Sequence, residues 1–217
     1  MQHKTISLAD QVFERLESDI LTGVYPRGSI LTEHSLSVDL GVSRTPLNEA
    51  LSRLEQEHIV ESTARGVIVL SITPEDALII DRIRLLLEGP VARRCAELIT
   101  DKQIDELREI LELQEFYIKK QDTEHINLID SQFHRQIYVC AGSHVYEDTL
   151  LPLLKKIQKF RQAVLSVGTR AEDSCQEHRR IYEAIAARDP ESVECAMWRH
   201  VRRSKEQLEE FIKNNGG

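Results

Sequence analysis

The chain has 217 residues, of which 41% are hydrophobic, and carries a formal net charge of -8. This length favours two small domains, and the acidic balance excludes a protein that coats nucleic acid through overall positive charge. No stretch approaches 18 consecutive apolar residues, so we expect no membrane partner and a cytoplasmic location.

Three amphipathic helices are expected in the first part of the chain. Apolar residues at four-residue intervals predict a helix over 8–22, which Gly23 ends. Thr32 is the expected N-cap of a second helix that stops at Gly41, and Ser43 is the expected N-cap of a third. Each of the three helices is therefore bounded by residues suited to a helix end.

Two runs rich in β-branched residues follow the third helix. Residues 59–62 and 67–70 favour strands, and the turn over 63–66 between them predicts a hairpin. Three helices and a hairpin in about 70 residues are typical of a winged helix-turn-helix. We assign this domain to residues 1–72.

From residue 73 onward the hydrophobic pattern is helical throughout. Short connections between helices favour an antiparallel bundle, and Pro152 is expected to kink the fourth helix or shift its start. The protein is thus predicted to be mainly α, with a winged helix-turn-helix followed by a six-helix bundle at residues 73–217. The six predicted helices span about 74–98, 101–120, 123–140, 144–167, 171–188 and 190–213.

The start of the third helix offers groups suited to DNA. Ser43, Arg44 and Thr45 present hydroxyls, first-turn N–H groups and a guanidinium, which can contact phosphate and a guanine edge. Arg65 at the hairpin tip is placed to enter a minor groove. The alternative is a solvated surface, since residues 1–70 contain six Lys and Arg against ten Asp and Glu.

The motifs of this domain match a known family. The runs Gly-Val-Tyr-Pro-Arg-Gly at 23–28 and Leu-Gly-Val-Ser-Arg-Thr-Pro at 40–46 resemble the winged helix of GntR-family bacterial transcription regulators. The resemblance covers residues 8–70 and implies a dimer that reads a palindromic operator in double-stranded DNA. The residues it places on DNA are Ser43, Arg44, Thr45, Pro46, Arg65 and Gly66.

Two positions depart from the family pattern. Members usually carry Arg where Asn48 stands, and often Arg where His34 stands. We keep Asn48 among the DNA contacts, because an amide can pair with adenine where a guanidinium would select guanine. The expected consequence is an altered operator preference.

Four polar residues of the second domain occupy apolar helical stripes: Asp130, His134, His178 and His200. A lone histidine on such a stripe is most often a hydrogen-bonded core residue, but isolated burial costs on the order of 1–3 kcal/mol for each group. One carboxylate and three imidazoles favour a divalent transition ion such as Zn, Ni, Co, Mn or Fe. Open positions on that ion would accept a small carboxylate or a hydroxy acid, including a sugar acid.

These residues also carry a second resemblance, over residues 74–213, to the FadR-type C-terminal domain found behind GntR winged helices. It implies an effector cavity in the bundle, metal binding by the same four residues, and a homodimer. It also implies that Arg84 and Glu88 face the effector, although residues four apart could form only an intrahelical ion pair.

The sequence therefore predicts a metabolite-responsive transcription regulator that acts as a repressor. It is not expected to be an enzyme. A non-haem metalloenzyme is the alternative, but four protein ligands use positions that catalytic metal sites leave open, and no separate general base stands out. A third interpretation is a purely structural metal that joins three helices.

Overall fold

The computed structural model describes residues 7–215, which fall into two compact units, one ending at Thr73 and the other beginning at Pro74. Residues 1–6 and 216–217, which the two predicted domains include, lie outside the described residues. Across 7–215 the chain is mainly helical, as the sequence predicts. No helix within that range is long and apolar enough to cross a membrane.

The first unit begins with three helices, α1 (Leu8–Thr22), α2 (Glu33–Leu40) and α3 (Arg44–Gln56). The predicted ends of α1 and α2 are confirmed, because Gly23 and Gly41 both have left-handed backbone conformations that end the helices. Ser7 and Asp10 form a capping box at the start of α1, so this helix has a fixed N-terminus.

A three-stranded antiparallel sheet completes the first unit, with β2 (Val60–Thr63), β3 (Gly66–Val69) and an additional strand, β1 (Ile30–Leu31). The order is β1-β3-β2, and β1 pairs Leu31 with Val67. The hairpin is confirmed, whereas β1 is absent from the prediction because two residues are too short to show alternation. The hydrophobic core of the first unit lies between the buried faces of α1 and α3 and those of β2 and β3.

The second unit is a bundle of seven helices in the described chain, one more than predicted. Their bounds are α4 (Pro74–Leu98), α5 (Asp101–Lys120), α6 (Thr123–Cys140), α7 (His144–Lys156), α8 (Gln158–Leu165), α9 (Arg170–Ala186) and α10 (Pro190–Asn215). α4 and α10 make the most extensive helix–helix contact.

The additional helix arises because the predicted segment 144–167 is two helices. Pro152 lies inside α7 and does not mark the break, which comes at Ile157, five residues later. Ile157 ends α7 and is also the N-cap residue of α8, with no side-chain hydrogen bond to that helix start. The predicted segment begins at His144 as expected, so Pro152 does not shift its start, and a kink at Pro152 stays a prediction.

The bundle encloses an apolar core to which α4, α6, α9 and α10 all contribute. Phe133 of α6, Ile181 of α9 and Met197 of α10 are fully buried in it. The same helices carry the polar residues singled out in the sequence, so those polar side chains are held beside a close-packed apolar layer.

Candidate functional site

The predicted DNA contacts of α3 lie on an exposed face of the first unit. Ser43, Arg44, Thr45 and Asn48 are exposed and Pro46 is partly exposed, while α3 buries its opposite face. Ser43 makes no side-chain cap hydrogen bond, so its hydroxyl does not satisfy the first-turn N–H groups. First-turn N–H groups without a side-chain cap can bind an anion such as a DNA phosphate.

The hairpin tip is the second exposed element of this unit. Arg65 is exposed, and its backbone N–H donates to the Thr63 hydroxyl at 3.2 Å. Gly66 has φ +132°, and a Cβ there would lie 2.3 Å from the carbonyl oxygen of Leu31 in β1. Close packing against β1 therefore explains why a residue without a Cβ stands at position 66, independently of any DNA contact.

Arg84 and Glu88 are fully buried in α4 and joined to each other. The Arg84 Nε donates to Glu88 at 2.6 Å, and its Nη1 donates to Asp81 at 2.7 Å. Burial by itself would raise the pKa of Glu88, but Arg84 and the hydrogen bond from His134 hold it well below its usual value. The intrahelical ion pair is therefore present, and an effector contact by Arg84 stays a prediction.

The three predicted histidines come together in the middle of the bundle. His134 of α6, His178 of α9 and His200 of α10 are buried, and one ring nitrogen of each lies within 4.8 Å of those of the other two. Each histidine lies on the apolar face of its helix, which packs against the core. Phe133 stacks on the His178 ring with centroids 4.2 Å apart and fixes its orientation.

Each histidine has its Nδ1 engaged by an oxygen from another helix. His134 Nδ1 lies 2.8 Å from Glu88, His178 Nδ1 2.9 Å from Gln114, and His200 Nδ1 2.8 Å from Glu177. An ionised carboxylate or an amide oxygen only accepts hydrogen bonds, so these contacts place the ring proton on Nδ1. The three Nε2 atoms are left with lone pairs.

Those lone pairs face one another without a proton to share. His134 Nε2 and His200 Nε2 are 3.2 Å apart, and His178 Nε2 is buried without a hydrogen-bond partner. Burial, together with the neighbouring imidazoles, lowers the pKa of His178 and of His200 well below 6.5, which keeps both rings neutral near pH 7. Neutral imidazoles with free Nε2 atoms are a ligand set for a divalent ion.

Asp130, the fourth predicted ligand, lies beside this group but is already paired. Its Oδ1 is 3.6 Å from His178 Nε2 and accepts from the Ser174 hydroxyl at 3.2 Å. Its Oδ2 is in close contact with the guanidinium of Arg161 from α8. Burial would raise the pKa of Asp130, yet Arg161 and the three imidazoles lower it far below its usual value.

A narrow cavity lies next to the histidines, between α8 and α10. Asp130, Arg161, Arg170, Ser174 and His200 contribute to its wall. The space open to the centre of a water molecule is about 20 Å³, enough for one water molecule and too small for an organic acid. Side chains of the wall must move before a larger ligand can enter.

Two polar residues of the site, Gln114 and Arg161, were missed in the sequence. Gln114 follows Leu107 and Leu111 on the buried stripe of α5, and Arg161 lies between Ile157 and Val164 at helical spacing. The criterion that identified the histidines, a polar residue on an apolar stripe, would have found both.

A winged helix-turn-helix followed by a helical bundle defines a class of proteins, the DNA-binding transcription regulators with a helical C-terminal domain. The chain belongs to the gntR family of bacterial regulatory proteins. The family's sequence model matches residues 8–69, and that of the FCD domain matches residues 80–203. Regulators of this family bind operator DNA and take small effector molecules in the FCD domain. They are not enzymes, as expected from the sequence.

Curated relatives point to the same class. The chain is 27% identical over 206 residues to the HTH-type transcriptional repressor RspR of Escherichia coli K12, covering 94% of this chain and 90% of that protein. It is 29% identical over 173 residues to the gluconate operon transcriptional repressor of Bacillus subtilis 168, covering 80% and 70%. Both similarities span the two units.

Solved structures share the fold. Escherichia coli McbR/YncC superposes with a TM-score of 0.81 at 23% identity, covering 96% of this chain and 100% of that one. A putative GntR regulator from Rhodococcus sp. RHA1 gives a TM-score of 0.74 at 20% identity, covering 92% and 96%. These likenesses confirm a winged helix-turn-helix followed by a helical bundle.

Proposed function

We propose that this regulator is a homodimeric repressor that reads a palindromic operator through its winged helix and senses a small organic acid at a divalent metal ion held by the helical unit. The observation that carries the sensing part is the arrangement of the three histidines, whose Nδ1 atoms are engaged and whose Nε2 atoms converge. The DNA-reading part is supported by the exposed start of α3 and by the family.

A divalent ion fits the chemistry of these donors. Nitrogen ligands 2.0–2.1 Å from a zinc-like ion are about 2.9–3.4 Å from each other, and His134 Nε2 and His200 Nε2 are 3.2 Å apart. His134, His178 and His200 would hold the ion, with Asp130 as the fourth ligand. Imidazole nitrogen and carboxylate oxygen suit Zn, Ni, Co, Mn or Fe in the divalent state. The ion would supply a positive charge that binds a carboxylate.

Carboxylates behind the histidines strengthen this interpretation. Glu88 and Glu177 accept from two of the imidazoles, and such partners orient a metal-binding histidine and raise its basicity. The ligand class follows from the open coordination positions, which favour a small carboxylate, hydroxy acid or sugar acid. The gluconate operon repressor among the relatives makes gluconate one acid to test.

Dimerisation is supported by an exposed apolar row on α4. Ile79, Ile83 and Leu86 lie on one face of this helix, and Leu86 is 73% exposed. Leu86 also lines a groove with Trp198 of α10. Leu86→Glu is therefore expected to shift the protein from dimer to monomer in sedimentation velocity, while the exposed Leu113→Glu on α5 leaves the dimer intact. A monomeric parent would contradict the assignment.

The DNA-reading assignment is tested on an operator selected from genomic fragments with the purified full chain. Arg44 is exposed and has no partner among residues 7–215, so its guanidinium is available to a base edge. Loss of one bidentate base contact costs about 1–3 kcal/mol, so Arg44→Ala should weaken binding about 5- to 150-fold at fixed salt. Arg108→Ala is the control, because it removes the same charge from an exposed position on α5. Equal effects of the two substitutions would refute the recognition-helix assignment.

The metal assignment is tested by titrating nickel into chelator-treated protein by calorimetry. We expect one ion per chain, and His178→Gln should weaken binding strongly because the amide lacks the imidazole lone pair. A structural ion predicts that metal raises the thermal midpoint without any response to carboxylates, whereas a sensor predicts a further rise with acetate, lactate or gluconate. Binding that His178→Gln leaves unchanged would refute the site.

A further inference from the structure

α8 is a short helix with a charged anchor. Of its eight residues, only Arg161 and Val164 are buried, and Arg161 is 7% exposed. The Arg161 Nη2 contacts Asp130, and its Nη1 lies 3.4 Å from the Ser131 hydroxyl. The position of α8 therefore depends on a guanidinium that is inserted beside the histidine cluster.

We propose that Arg161 is an exchangeable counter-ion of Asp130, whose contact with Asp130 Oδ2 opposes a metal ion at this carboxylate and is given up when an organic acid binds. The proposal rests on the metal and acid site proposed above. Asp130 accepts from Ser174 on one oxygen and contacts Arg161 on the other. A guanidinium on this carboxylate competes for its lone pairs and repels a second cation. Arg161 thus lowers the affinity of the site for metal.

The charges around the site indicate what the released guanidinium binds. Four guanidinium groups face four carboxylates, so these charges sum to zero without the imidazoles, and a divalent ion adds two positive charges. The carboxylate of a bound acid offsets part of this charge, which is costly to leave unpaired in a buried site. The charged groups counted are Arg84, Arg161, Arg170, Arg203, Asp81, Glu88, Asp130 and Glu177.

Arg161 is the buried guanidinium of the cavity wall that can accept this carboxylate once it leaves Asp130. Arg84 is held by two acids, and Arg170 is held by both oxygens of Glu177 at 3.1 and 3.0 Å. The cavity beside Arg161 has room for about one water molecule until this side chain moves. When Arg161 leaves Asp130 for the carboxylate of the acid, the cavity therefore widens, and the contact that holds α8 changes at the same time.

The test compares Arg161→Met with Arg170→Met in the full chain. Both remove a buried guanidinium from the same cavity wall, but only Arg161 contacts Asp130. In calorimetry with nickel, Arg161→Met should bind the ion about tenfold more tightly or better than the parent. Arg170→Met should not, because it leaves Glu177 without its main cation behind His200. Acetate binding to the nickel-loaded Arg161→Met protein should fall at least about tenfold.

A metal-free measurement separates this exchange from a merely structural role. In chelator, Arg161→Met should lower the thermal midpoint of the helical unit, because it leaves the Asp130 carboxylate buried without a cation. Adding Asp130→Asn should restore part of the midpoint, because a neutral amide then replaces that carboxylate. If the parent binds nickel and Arg161→Met binds it equally or more weakly, the exchange is refuted while the metal site stands. If neither protein binds nickel, the metal site and the exchange are both refuted. Nickel binding that appears only in Arg161→Met supports the exchange.

Discussion

Glu88 connects the buried ion pair of α4 to the histidine cluster. Substituting it tests two roles of its carboxylate, the neutralisation of Arg84 and the orientation of His134. Glu88→Gln keeps the side-chain size but removes the charge that neutralises Arg84 and orients His134. Asp81→Asn is a matched control, because it also takes a buried carboxylate from Arg84, at 2.7 Å, but does not touch His134.

Both substitutions should destabilise the helical unit by a similar amount. Breaking a buried pair by neutralising one partner costs about 3 kcal/mol, which for a unit of this size lowers the thermal midpoint by roughly 6–12 °C. The measurement is thermal unfolding of chelator-treated full chain, followed by the fluorescence of Trp198, the single tryptophan, which lies in this unit.

Only Glu88→Gln should affect the metal ion. Loss of the carboxylate behind a metal-binding histidine weakens affinity about 10- to 100-fold, so nickel calorimetry should show this change for Glu88→Gln and little change for Asp81→Asn. Equal weakening by the two substitutions would mean that the effect comes from general destabilisation, and the role given to Glu88 would be wrong.

Two further predictions concern pH and the wing. Burial lowers the pKa of His178 and of His200, so the unfolded chain binds more protons below its pKa of about 6.5, and stability must fall as pH falls through that value. From pH 7 to 5.5 the loss is about 2.5 kcal/mol for the two groups in chelator-treated protein. The exposed His144→Gln should leave this loss unchanged in urea unfolding, and a flat pH profile would contradict it. In the winged unit, Gly66→Ala at φ +132° forces a Cβ to 2.3 Å from a carbonyl oxygen of β1, whereas Gly28→Ala at φ +84° meets nothing within 4 Å. Gly66→Ala should therefore cost at least about 2 kcal/mol more in calorimetric unfolding, and equal costs would refute the close approach.

Much of the fold follows from local patterns. The spans predicted for α4, α5 and α6 agree with the structure. A capping residue marks the start of α5 and of α6, and α4 begins at Pro74, a residue suited to the first turn of a helix. Asp122 caps α6 one residue before the predicted Thr123. The break at Ile157 carries no proline or glycine, so it depends on tertiary packing that a local pattern does not record.

The histidines of the candidate site were predictable from the sequence, whereas the side chains that pair with the site were not. His134, His178 and His200 stand out because imidazoles interrupt apolar stripes, and the structure brings them together. That Asp130 is paired with Arg161 depends on how α8 lies against α6, and helical spacing within one element carries no information on which helices become neighbours.

The central claim is that an organic acid controls DNA binding through a metal ion in the helical unit. The most direct measurement is fluorescence anisotropy of the selected operator with nickel-loaded and chelator-treated protein, each with and without a monocarboxylate identified by calorimetry. We predict that the acid weakens DNA binding about 5- to 150-fold in the nickel-loaded protein and has no effect in the chelator-treated protein or in His178→Gln. An acid response of the same size without metal would contradict the account.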